Sequence, residues 1–117
     1  MPGIFGFIRK HGGTRSVNEE LITSMGEIQR HTPGYELTTH ADDWFGLGVI
    51  GLPVPGGARF AVSSEKGVVA AYSGNLYGFQ RVAEQLSGRT KDTAARIAEI
   101  YSAAPRELTG ALNGSFN

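Results

Sequence analysis

Few residues in this chain of 117 have the types and spacing to do chemistry, and the first stands at its start. Pro2 follows the initiator Met1 in "MPGIFGFI". Once Met1 is removed, the proline amine is a base able to work near neutral pH. It carries neither thiol nor hydroxyl, so it cannot form the acyl intermediate of nucleophilic catalysis. The chain holds no cysteine, which removes disulfides, thiolate metal sites and a cysteine nucleophile together. Asp92 in "KDTAAR" reads as a helix N-cap, a role that needs no ligand. Gly74 reads as the glycine of an ordinary strand-to-helix turn. His11, His31 and His40 are far apart; only His40, in "HADD", has carboxylates beside it, and a solvated loop accounts for it better than a metal site. "GLGVIG" and "VPGG" lack the Gly-x-Gly-x-x-Gly and Walker spacings, so phosphate binding is not supported.

These residues need elements to position them. Gly3 to Ile8 reads as a short buried strand, with Pro2 at its first position, where a missing N–H costs little. Ser16 and Glu19 fit a capping box, and Leu21, Ile22, Met25 and Ile28 recur at helical spacing, which predicts an amphipathic helix from about Val17 to Arg30. Thr32-Pro33-Gly34 ends it, and a polar stretch follows. Trp44 to Leu52 reads as a strand, with Trp44 and Phe45 in the core, and "PVPGG" as a turn. Arg59 to Ser63 and Val68 to Ser73 read as a hairpin across "SEKG". "GNLYG" breaks that strand and leads into a helix carrying Phe79, Val82 and Leu86. A third helix carries Ala95, Ile97, Ala98, Ile100 and Tyr101, and Pro105 starts a last short one. "LNGSFN" reads as the entry to another strand. The order predicts an α+β or layered fold, and an end on the first residues of a strand predicts a fragment of a longer domain.

Composition narrows the function classes. Eleven basic residues balance eleven acidic ones and no basic run appears, which argues against nucleic acid as a partner. No apolar stretch approaches the roughly 20 residues of a membrane span and no signal peptide is visible, so a cytoplasmic location is expected. An apolar content of 40% fits a globular chain.

Three stretches in register resemble one family. "MPGIFGFI" resembles the start of the class II glutamine amidotransferase domain of asparagine synthetases, Met-Cys-Gly-Ile-x-Gly. "YSGNLYGF" is similar to the family's Phe-Asn-Gly-Glu-Ile-Tyr-Asn, and "KDTAARIAEIYSAAPRELTGALNGSFN" to its Ser-Asp-Thr-Glu segment, helix and Leu-Asn-Gly-x-Phe. "RHTPGYE" is similar to a decayed Arg-Gly-Pro-Asp-Gly loop. Family domains run longer, so the resemblance covers their front part. It implies a partial four-layer α-β-β-α sandwich of the N-terminal-nucleophile hydrolase type, here over residues 1–117. In the family the exposed cysteine attacks the glutamine side-chain amide, and ammonia passes to a synthetase domain that uses ATP.

Carried over residue by residue, the resemblance implies a degenerate site. Pro2 stands where the nucleophilic Cys belongs. Ser73 stands for the Asn of the oxyanion hole, and Gly74 matches its glycine. Asn75 replaces the Glu that holds the substrate's amino group, and the Arg that pairs with its carboxylate maps near Gly51. Asp92 matches the Asp that anchors the ammonium. The expectation is an inactive glutaminase-type domain, a pseudoenzyme within an asparagine synthetase-like amide ligase, serving a synthetase domain in the same or another chain. No cofactor is expected in this segment; ATP and Mg belong to a downstream synthetase domain. An incomplete sandwich exposes a sheet edge, so a homodimer is a further expectation. Two alternatives stand beside this reading. One is a tautomerase-like enzyme using the Pro2 amine as base, which needs a two-fold βαβ repeat that the sequence lacks. The other is a binding module that keeps the vestigial glutamine pocket, with Asp92 on the ligand amine.

Overall fold

A computed structural model describes residues 3–53, 60–63, 67–76, 93–112 and 114–116. The fold is mixed α and β, and the chain divides into two compact units, Met1–Pro53 and Val54–Asn117.

The first unit is a three-stranded antiparallel sheet with one helix. Strands β1 (Gly3–Ile8), β2 (Glu36–Ala41) and β3 (Phe45–Gly51) lie in the order β1-β3-β2, and α1 (Arg15–Gln29) connects β1 to β2. Strand β2 falls in the stretch expected to be merely polar. Its Leu37, Thr39 and Ala41 alternate with the exposed Glu36 and Thr38, and the period of two, with β-branched threonines, suits a half-buried strand. His40 therefore sits in a strand rather than in the expected solvated loop.

Packing between α1 and the sheet depends on residues without bulk. Across β1 and β3, Phe5 pairs with Gly48 and Phe7 with Gly46. A Cβ at Gly48 would overlap the Phe5 ring, and one at Gly46 would come within 2.6 Å of the Phe7 ring. On the helix, a Cβ at Gly26 would collide with Leu37 and come within 2.9 Å of the Phe5 ring. The two rings occupy volume that side chains on β3 would otherwise fill, which lets α1 approach closely. The inward row of α1 is thus Asn18, Ile22 and Gly26, at i, i+4 and i+8. Ile22 and Ile50 are wholly buried, and each such side chain contributes about 1.5–3 kcal/mol. Of the apolar residues expected to form the helix's core face, Ile22 does so. Leu21 and Ile28 are exposed, because the glycine and asparagine rotate the contact row by about one position.

The helix also starts differently from expectation. It begins at Arg15 with Thr14 as N-cap and no side-chain cap from Thr14, and Ser16 lies inside the first turn. The expected Ser16–Glu19 capping box does not form. The Arg15 N–H donates instead to Asp43 Oδ1 at 2.9 Å, and Glu19 accepts from Arg15 Nε at 2.7 Å. A carboxylate from the β2–β3 turn therefore satisfies an orphan amide of the helix start. Trp44, expected in the core, is 59% exposed beyond the end of β3 and lies against Gly12, whose φ is +71°.

Among the described residues, the second unit contains two strand pairs and two helices. Strands β4 (Phe60–Ser63) and β5 (Val68–Ala71) form the expected antiparallel hairpin, and β6 (Gly74–Leu76) pairs antiparallel with β7 (Gly114–Phe116). Gly67, at φ +62°, precedes β5. Helix α2 (Thr93–Ala103) packs against β4 and β5, and its buried Ala94 and Ala98 allow a close approach. Helix α3 (Pro105–Ala111) opens with Pro105 at its start, as expected of a residue with no N–H to lose. Its Ala111 packs with Ile100 of α2, ringed by Ile97, Leu108 and Leu112. Tyr101, on the other side of α2, is 52% exposed. The "PVPGG" turn and the helix expected around Phe79, Val82 and Leu86 lie outside the described residues. Among the described residues no helix is long and apolar enough to cross a membrane.

Candidate functional site

The residues with carried-over roles are distributed over both units. Pro2 and Asp92 lie outside the described residues. Pro2 immediately precedes β1, and Asp92 immediately precedes α2. Gly51 ends β3 opposite Glu36, and its backbone is buried.

Ser73, Gly74 and Asn75 form the passage from β5 into β6. Within the expected break, Gly74–Leu76 form a three-residue strand, because Gly74, Asn75 and Leu76 find ladder partners in Phe116, Ser115 and Gly114. Ser73 is buried, at 6% exposure. Gly74 has φ +130°, a backbone state that a side chain disfavours, so a glycine is needed where the chain turns from one strand to the next. The Tyr72 hydroxyl donates to the Gly74 carbonyl and braces that turn. The arrangement gives a buried hydroxyl, a conformationally special glycine and a polar residue on the adjacent ladder position. It contains no thiol.

The "HADD" cluster does different work. Asp42 Oδ1 accepts from the backbone N–H groups of Trp44 and Phe45 at 2.7 and 2.9 Å, which shapes the β2–β3 turn. Asp43 caps α1. His40 points its ring at Phe45, with centroids 6.0 Å apart. Among the described residues no group of three His, Asp or Glu side chains converges as a metal site.

Sequence reasoning missed one polar centre. Asn18 is fully buried on α1; its Oδ1 accepts from Arg9 Nε at 2.7 Å, and its Nδ2 donates to the Asp42 carbonyl at 2.7 Å. One amide therefore ties the loop after β1, the helix and the β2–β3 turn, and both its polar atoms are satisfied, as burial demands. The Arg9 guanidinium also lies 5.8 Å from the centre of the Phe7 ring. The available signal was an asparagine at i−4 from Ile22, on the face that must pack. Nearby, the Glu19 hydrogen bond and charge raise the Arg15 pKa above its ordinary value. Comparison of the chain with protein-family models, curated proteins and solved structures finds no match.

Proposed function

We propose that this chain is the front part of a degenerate class II glutamine amidotransferase-type domain, a structural partner for an ATP-dependent amide-forming synthetase domain. The observation that carries the reading is the β6–β7 ladder. It sets Gly74–Leu76 beside Gly114–Phe116, and these come from two of the stretches that resemble the family. The third stretch, from Gly3, runs as β1. Further support comes from β3, whose Leu47 and Val49 alternate with the α1-facing Gly46, Gly48 and Ile50. A strand that is apolar on both faces suits an inner layer of a sandwich.

The chemistry follows from what the residues lack. Pro2 offers an amine without a nucleophile, and Ser73 offers a hydroxyl in place of an oxyanion-stabilising amide. Losing one such donor costs about 100-fold or more in rate, and losing the nucleophile removes the covalent route altogether. The domain then contributes surface and shape to its synthetase partner rather than ammonia. The test is incubation with glutamine at high protein concentration, after intact mass shows that Met1 is gone. Glutamate at background level is expected. Release that survives repurification and is abolished by Asp92→Ala would overturn the reading.

A further inference from the structure

The half-buried Arg9 side chain is fixed along its length. Its Nε donates to Oδ1 of the buried Asn18, and that amide is itself held, because its Nδ2 donates to the Asp42 carbonyl. The stem runs past Gly13, where a Cβ would come within 3.2 Å of Arg9 Cδ and Nε. The guanidinium stands 5.8 Å from the centre of the Phe7 ring, within cation–π range. An arginine carries five N–H donors, and Asn18 takes one of them. Among the described residues the two terminal nitrogens, Nη1 and Nη2, have neither a hydrogen-bond partner nor an ion-pair partner. A guanidinium ordered through Nε with its terminal donors unused has already met much of the ordering cost of gripping an anion.

Arg9 stands at the rim of a cleft. Helix α1 packs over β2 and β3 and only grazes β1, and an open hollow of about 370 Å³ lies between the end of β1 and Leu21 of the helix. That volume is in the range of a small-molecule site. Phe7, Ile8 and Leu21 give it apolar walls, and Lys10 and His11 stand beside Arg9. Among the described residues no carboxylate lines the cleft, and Lys10 has no acidic partner. The hollow is apolar within and positive at its rim.

We propose that this cleft binds a small carboxylate with a short acyl chain. The carboxylate spans the Nη1 and Nη2 donors of Arg9 in two parallel bonds, the geometry for which the planar fork is suited. Lys10 adds a second positive charge beside the head group. The acyl carbons lie on Phe7, Ile8 and Leu21 and take them out of water. Asn18 is the positioning residue, since it orients the fork without touching the ligand. The site belongs to the first unit and uses none of Ser73, Gly74, Asn75 or Asp92, so it stands apart from the glutaminase-type reading.

The test is isothermal titration of the whole chain with octanoate, with acetate and 1-octanol supplying the head and the chain alone. Octanoate should bind saturably with a Kd below about 1 mM. Acetate and 1-octanol should each bind at least about tenfold more weakly, since each lacks half of the recognition. Arg9→Lys keeps the charge and loses the fork, and should weaken octanoate about tenfold or more. Leu21→Asp, at a position 40% exposed and away from the Asn18 bond, should weaken it as much while the far-ultraviolet circular dichroism stays unchanged. Ile28→Asp, outside the cleft, should leave the affinity as it was. A Kd for octanoate above that limit would overturn the proposal. So would equal affinity for 1-octanol, or binding that Leu21→Asp leaves intact.

Discussion

The Arg9 guanidinium Nε donates to Asn18 Oδ1 at 2.7 Å, and Asn18 is wholly enclosed. A buried amide with both ends satisfied is costly to remove, because its partners keep their desolvation cost and lose their bond. Asn18→Ala should lower the unfolding free energy by about 1–3 kcal/mol. Urea denaturation followed by the single Trp44 measures it. An unchanged midpoint would mean that water replaces the amide without loss.

Helix α1 takes its cap from Asp43 across 28 residues of chain, and Ser16 sits within the helix. Asp43→Ala should therefore cost about 1 kcal/mol, the usual worth of an N-cap, and Ser16→Ala should be close to neutral. The reverse ranking in thermal denaturation would restore the local capping box.

Gly48 has no room for a methyl group beneath the Phe5 ring. Gly48→Ala should destabilise the first unit by about 1–3 kcal/mol through overpacking. Adding Phe5→Leu should recover part of the loss, because the smaller side chain vacates the contested volume. Full additivity in the double-mutant cycle would show that the two residues do not compete for space.

On the reading proposed above, a thiol introduced at position 2 should not confer glutamine hydrolysis. On that reading Pro2→Cys alone should stay at background glutamate release, because Ser73, Asn75 and Gly51 stand where the resembled family carries the groups that hold the oxyanion and the substrate. Adding Ser73→Asn should raise any trace activity by about 100-fold, the effect of one oxyanion donor. Efficient hydrolysis by the single variant would show an intact glutamine pocket.

Much of the fold was legible where local pattern and tertiary need agree. β1, the β4–β5 hairpin, α2 and the Pro105 start of α3 all follow from runs, turns and caps within a few residues. What escaped depends on partners distant in sequence. β2 is polar and short, and only the ladder to β3 makes it a strand. The cap of α1 comes from Asp43, and no window around Ser16 contains it. Trp44 reads as core by type, yet Asp42 Oδ1 gathers the Trp44 and Phe45 amides into a turn that leaves the ring outside. The candidate site was legible only as a resemblance in three stretches. The pairing of two of them, Gly74–Leu76 with Gly114–Phe116, is a long-range fact that no local reading supplies.

The alternation of glycine along β3 has a consequence for folding fidelity. In the native alignment both phenylalanine rings of β1 meet a residue without a side chain, Phe5 at Gly48 and Phe7 at Gly46. A slip of two residues keeps every side chain on its proper face, so hydrophobicity alone would tolerate it. Moved one way, Phe5 meets Ile50; moved the other, Phe7 meets Trp44. Each misalignment forces one ring against a bulky neighbour. The two vacant positions act together as a two-pin key, rejecting wrong pairings that the burial pattern by itself would admit.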